Sequence, residues 1–78
     1  MSNQKTKGTA NEFDIFIGNR VREIRREKNF IQQEIADHLG ISFQQVQKYE
    51  NGKNRISAGN LYKLSKAIEV PLSEFFPK

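Results

Sequence analysis

Apolar residues recur along this chain at helical intervals, and nowhere do they alternate over a useful length, so every element expected is a helix. Phe13, Ile17, Val21 and Ile24 follow one another at steps of four, four and three. They draw one apolar stripe on a first helix, which Asp14 can cap and which runs to about Lys28. Asn29 and Phe30 close it. A second pattern over residues 32–39 buries Ile35, Ala36 and Leu39 and stops at Gly40, the residue best suited to a left-handed cap.

The third pattern has the clearest start. Ser42 can cap it, Gln45 completes a capping box, and Ile41 faces Val46 as a hydrophobic staple. Asn51-Gly52 ends it. After the loop Lys53-Asn54-Arg55, Ile56 before Ser57 faces Leu61 in a second staple and opens a fourth helix. That helix buries Leu61, Leu64, Ala67 and Ile68 and ends before Val70-Pro71. Residues 72–76 form one last turn. The reading is all-α, with four to five short helices and no repeat. Phe13, Phe16, Phe30 and Tyr49 are expected in the core, and Tyr62 partly exposed.

Composition narrows the setting. With 78 residues the chain makes one domain, and one this small buries only about 60% of its unfolded surface and gains from a partner subunit. It has no cysteine, so no disulfide or thiolate metal site staples it, which fits a reducing cytoplasm. No apolar run nears a membrane span and the N-terminus lacks a signal-peptide core. Residues 1–12 are polar, carry little to bury, and are expected to form a disordered arm before a domain at 13–78. His38 is the one histidine; it has no second ligand nearby and reads as solvated surface. Neither a metal nor a cofactor is expected. No acid–base pair, activated nucleophile or Gly-rich phosphate loop is present, so the chain is not expected to be an enzyme.

Charge placement says more than its total of +4. Residues 17–28 carry +3, residues 29–41 carry −2 and residues 42–56 carry +2. The acidic groups sit on the second helix and basic ones gather around the third, the footprint of a polyanionic partner. The arginines of the first helix also stand at spacings that would pair them with Glu23 and Glu27.

Residues 32–51 carry the functional signal. Two helices crossing steeply through a tight turn need a small residue at the crossing, a residue free to take positive φ, and apolar anchors beneath the second helix. Ala36, Gly40, Val46 and Tyr49 meet these needs together. At about 100° per residue, burying Val46 and Tyr49 turns Gln44, Gln47 and Lys48 outward, with Phe43 and Gln45 flanking them. A glutamine amide can pair with adenine, a lysine can donate to guanine, and an aromatic ring can touch a thymine methyl. Ser42, Asn51, Lys53, Asn54 and Arg55 are short or basic donors suited to phosphates, and Gln32 can join the free N–H groups of its helix on one phosphate.

Residues 17–76 resemble the Cro and lambda-repressor-like (Xre-type) helix-turn-helix family. The resemblance rests on Arg20-Val-Arg-Glu-Ile-Arg25, Gln32-Gln-Glu-Ile-Ala36, Gly40-Ile-Ser42, Val46-Gln-Lys-Tyr-Glu50-Asn-Gly52 and Leu61 through Val70-Pro71. It implies a compact five-helix domain that binds operator DNA as a two-fold dimer, with the recognition helix at residues 42–50 in the major groove. It assigns Gln32 and Asn51 to phosphate and Phe43, Gln44 and Lys48 to bases, and it implies an Arg25–Glu50 ion pair. Two positions depart from the pattern. Ile31 replaces the usual hydroxyl cap before Gln32, and Phe43 replaces a polar reader, which favours a thymine methyl there.

The reading is thus a small sequence-specific regulator on an inverted repeat, most naturally bacterial or phage-derived. Its dimer is expected to form through Leu72, Phe75 and Phe76, since two aromatic rings are hard to hide in so small a domain. Two other functions compete. An antitoxin would bind its own operator and a protein toxin as well, with only the short arm available for the toxin. A protein-interaction module would want buried apolar anchors where this chain has amides and cations.

Overall fold

In a computed structural model of the protein, residues 11–78 are described; the expected arm lies outside them as far as residue 10. Four α-helices, α1 (Glu12–Glu27), α2 (Gln32–Leu39), α3 (Phe43–Glu50) and α4 (Ala58–Ala67), lead to a 3-10 turn at Leu72–Phe75. There is no strand among the described residues. α1 packs on α3 and on the C-terminal turn, while α2 packs on α3 and α4. Val21 and Ile24 of α1, Ile35, Ala36 and Leu39 of α2, Val46, then Leu61, Leu64, Ile68 and Phe75 make one continuous core.

The helix ends follow local chemistry. α1 begins earlier than expected, because Asn11 and not Asp14 is its cap. Asn11 Oδ1 accepts from the N–H groups of Phe13 and Asp14, at 3.0 and 2.9 Å. Asp14 Oδ2 accepts from the Asn11 N–H at 3.0 Å, so the pair is reciprocal. At α2 the cap position is Ile31, which has no acceptor of its own, and the Glu34 carboxylate takes the Ile31 N–H at 2.9 Å. Gly40 then closes α2 in the left-handed conformation, φ 69°. A Cβ there would meet nothing within 4 Å, so the glycine answers to backbone conformation and not to space.

Three sequence expectations change. The fifth helix is a single 3-10 turn: Pro71 stands before it and Pro77 soon after, leaving only Leu72–Phe75 to wind. Phe13 and Phe16 are 58% and 40% exposed, although core positions were expected. α1 has sixteen residues against eight for α2 and α3, about 24 Å against 12 Å, and its first turns outrun the helices that could cover them. Phe75 is fully buried within the monomer. It is core and has no surface for a second subunit; of the three expected contact residues only Leu72 and Phe76 stay exposed.

Several cations of α1, and Lys28 at its C-cap, are committed within the fold. Arg20 Nε donates to the Glu74 carbonyl at 2.9 Å, and its Nη1 meets Glu23 at 2.8 Å. Lys28 Nζ donates to the Ile68 carbonyl at 2.7 Å and so holds the end of α4. Of the helical pairs expected, that with Glu23 forms.

Candidate nucleic-acid interface

α2 and α3 cross over fully buried Ala36, and Val46 and Tyr49 turn inward from α3. The Tyr49 hydroxyl accepts from Asn60 Nδ2 at 3.3 Å, which ties α3 to the first turn of α4. Ser42 caps α3 by accepting the Gln45 N–H at 3.1 Å. With that face buried, Gln44 and Lys48 stand exposed, Phe43 is 37% exposed and Gln47 is half-buried. The side chains of Gln44, Gln47 and Lys48 have no hydrogen-bond partner among the described residues. Their donors and acceptors are open to a ligand.

Gln45 behaves differently. Its side chain does not return to Ser42 to complete the expected box; Nε2 donates instead to Asn54 Oδ1 at 3.2 Å. The contact joins the start of α3 to the loop behind it and draws Gln45 away from the set of outward amides. Asn54 Nδ2 in turn donates to the Lys53 carbonyl at 3.0 Å. Asn51 is the last residue of α3's cap and is exposed, as is Lys53. Arg55 Nε lies 3.4 Å from Asp14 Oδ2, linking the same loop to the start of α1. Ser42, Asn51, Lys53, Asn54 and Arg55 therefore frame α3 from both ends.

The floor beneath α3 is polar. Glu50, only 1% exposed, accepts from Arg25 through two parallel bonds: Nε to Oε2 at 2.7 Å and Nη2 to Oε1 at 3.0 Å. Arg25 Nη1 donates to the Phe30 carbonyl at 2.9 Å, and Gln32 Nε2 donates to Glu50 Oε1 at 3.0 Å. A buried carboxylate this well supplied with donors keeps its charge compensated, and the fork of an arginine fits it better than a lysine could.

Two contributors to the site, Gly18 and Arg22, escaped the sequence reading. Gly18 lies where α1 meets the end of α3, and a Cβ there would sit 2.0 Å from the Tyr49 carbonyl oxygen. Arg22 Nη2 donates to the Glu50 carbonyl at 3.1 Å, adding a second bond to that end of α3. Gly52, at φ 76°, faces the Ile15 side chain. A glycine in mid-helix, costing about 1 kcal/mol against alanine, was the available signal for Gly18; the role of Arg22 left none.

Comparison with known proteins places this geometry. The helix-turn-helix family model HTH_3 matches residues 21–75. The chain is 47% identical over 73 residues to an HTH-type transcriptional regulator, y4aM, of Sinorhizobium fredii, covering 94% of this chain and 51% of that one. It is 34% identical over 67 residues to the control protein C.MunI of a Mycoplasma species, covering 85% and 90%. The crystal structure of the restriction-modification controller protein C.AhdI of Aeromonas hydrophila superposes with a TM-score of 0.73 at 31% identity, over 80% of this chain and 94% of that one. The chain spans about half the length of several rhizobial regulators it matches.

Proposed function

The chain belongs to the helix-turn-helix family of DNA-binding transcriptional regulators, and from that premise we propose that it reads a short double-stranded operator by laying α3 in the major groove. One observation carries the proposal: α3 buries Val46, Tyr49 and Glu50 while Gln44, Gln47 and Lys48 face outward without side-chain partners among the described residues. A face of amides and one cation suits base edges. Gln44 and Gln47 offer amides to adenine, Lys48 offers a donor to guanine, and the Phe43 ring offers a contact to a thymine methyl. Ser42, Asn51, Lys53, Asn54 and Arg55 take phosphates on either side, and Gln32 takes one at the start of α2. Gln45, bonded to Asn54, acts on the loop and not on a base.

The regulator works as a two-fold dimer on an inverted repeat, with recognition helices about 34 Å apart. Leu72 and Phe76, exposed on either side of buried Phe75, supply apolar surface for the second subunit.

Selection from random duplexes defines the site, and titration across salt then separates the two kinds of contact. Lys53→Ala is expected to weaken binding to all sequences about equally and to lower the salt dependence by about one counterion. Gln44→Ala is expected to relax preference at one base pair by about 1–3 kcal/mol. Uniform weakening by Gln44→Ala, with base preference intact, would remove it from the readers.

A further inference from the structure

Glu50 holds two helices at once. It is fully buried at the end of α3, and its Oε1 accepts both Arg25 Nη2 from α1 and Gln32 Nε2 from the first turn of α2, each at 3.0 Å. We propose that Glu50 is a positioning residue for phosphate recognition, acting through Gln32. The inference rests on the DNA-binding reading above and deepens it.

A glutamine amide has two orientations of similar shape, and on a free surface it samples both along with many rotamers. Opposite a carboxylate only one orientation is allowed, because the carboxylate accepts and cannot donate. The Gln32 nitrogen must therefore face Glu50, and its second N–H is left without a partner among the described residues. Glu50 itself is fixed by the two-point fork of Arg25, whose Nη1 also donates to the Phe30 carbonyl. The amide is thus oriented before any ligand arrives, so less side-chain freedom is lost on binding. Because the same carboxylate sits on the recognition helix, the phosphate contact at α2 and the register of α3 in the groove are coupled.

A double-mutant cycle tests the coupling on the duplex recovered by selection. Replacing Arg25 and Glu50 together by methionine removes the anchor while filling its volume, a kind of exchange that buried ion pairs often tolerate. Gln32→Met is expected to weaken binding about tenfold in the unmodified chain and less than about twofold in the Arg25→Met/Glu50→Met background. Equal losses in both backgrounds, or no loss in the unmodified chain, would overturn the proposal.

Should the double replacement fail to fold, Glu50→Asp provides the second arm. It keeps the charge beside Arg25 but withdraws the carboxylate by one methylene. The Gln32 side-chain amide, followed by 15N NMR in the free protein, is expected to be shifted and slow to exchange, and to lose both properties in Glu50→Asp, with DNA affinity falling in step. Unchanged amide signals, or a lost anchor without lost affinity, would refute the role. Failure of the unmodified chain to bind any duplex at low salt would defeat the DNA reading and this inference together, whereas equal cycle losses with binding intact would defeat this inference alone.

Discussion

At the scale of single residues, the position of α3 depends on a missing side chain as much as on any present one. Gly18 lets the backbone of α1 approach the Tyr49 carbonyl so closely that a Cβ would overlap it, at 2.0 Å. The obstacle is backbone, which cannot swing aside as a flexible side chain would. Alanine is the better helix former by about 1 kcal/mol, yet overpacking of this kind costs about 1–3 kcal/mol. Gly18→Ala is therefore expected to lower unfolding free energy in urea by up to about 2 kcal/mol and to weaken DNA binding by displacing α3. A more stable variant would show that the two helices part at no cost. Glu50 illustrates the converse case, a charge admitted to the interior because three N–H donors meet it.

At the scale of elements, α3 is short, eight residues, and a helix of that length is marginal in water without its caps and its packing. Ser42 provides the capping acceptor at its N-terminus, and Arg22 bonds the Glu50 carbonyl at the other end. Ser42→Ala is expected to cost about 1 kcal/mol of stability, read as a lower midpoint in chemical unfolding. It should also weaken DNA binding beyond what that loss explains, since the hydroxyl lies beside the proposed phosphate path. The cap itself was legible in the sequence, because capping acts over three residues. The return arm was not. The Gln45 amide had two possible partners, the Ser42 N–H as a local donor and Asn54 Oδ1 as an acceptor nine residues away, and only the folded loop shows which lies within reach.

At the scale of the whole molecule, two adjacent phenylalanines divide between the core and the surface proposed for the second subunit. Phe75 is completely buried in the core and Phe76 is 39% exposed. Phe75→Ala is expected to destabilise the monomer by about 3–5 kcal/mol, measurable as a large fall in thermal midpoint. Phe76→Ser should leave that midpoint nearly unchanged when the protein is dilute but shift the monomer–dimer equilibrium toward monomer, followed by sedimentation. A dimer unaffected by Phe76→Ser would place the interface elsewhere, with the exposed Phe13 and Phe16 of α1 the next surface to vary.

What the sequence determined by itself is what acts over one or two helical turns. The apolar period sets the helices, Ser42, Ser57 and Gly40 mark their ends, and the joint spacing of Ala36, Gly40, Val46 and Tyr49 states the crossing and hence the outward face of α3. These signals are short in range and each has few physical alternatives. The Arg25–Glu50 pair was implied by the family resemblance and Arg20–Glu23 by helical spacing, but tertiary structure alone decided the other long-range partners. Arg22 reaches Glu50 across 28 residues and Arg20 reaches Glu74 across 54, where a sequence reading offered only neighbours on the same helix. Only the fold could leave Phe13 and Phe16 uncovered beyond the ends of shorter helices, bring Gly18 against a carbonyl, and place Gln32 beside Glu50. Burial and pairing depend on what arrives from elsewhere in the chain, and no local pattern of residues encodes that arrival.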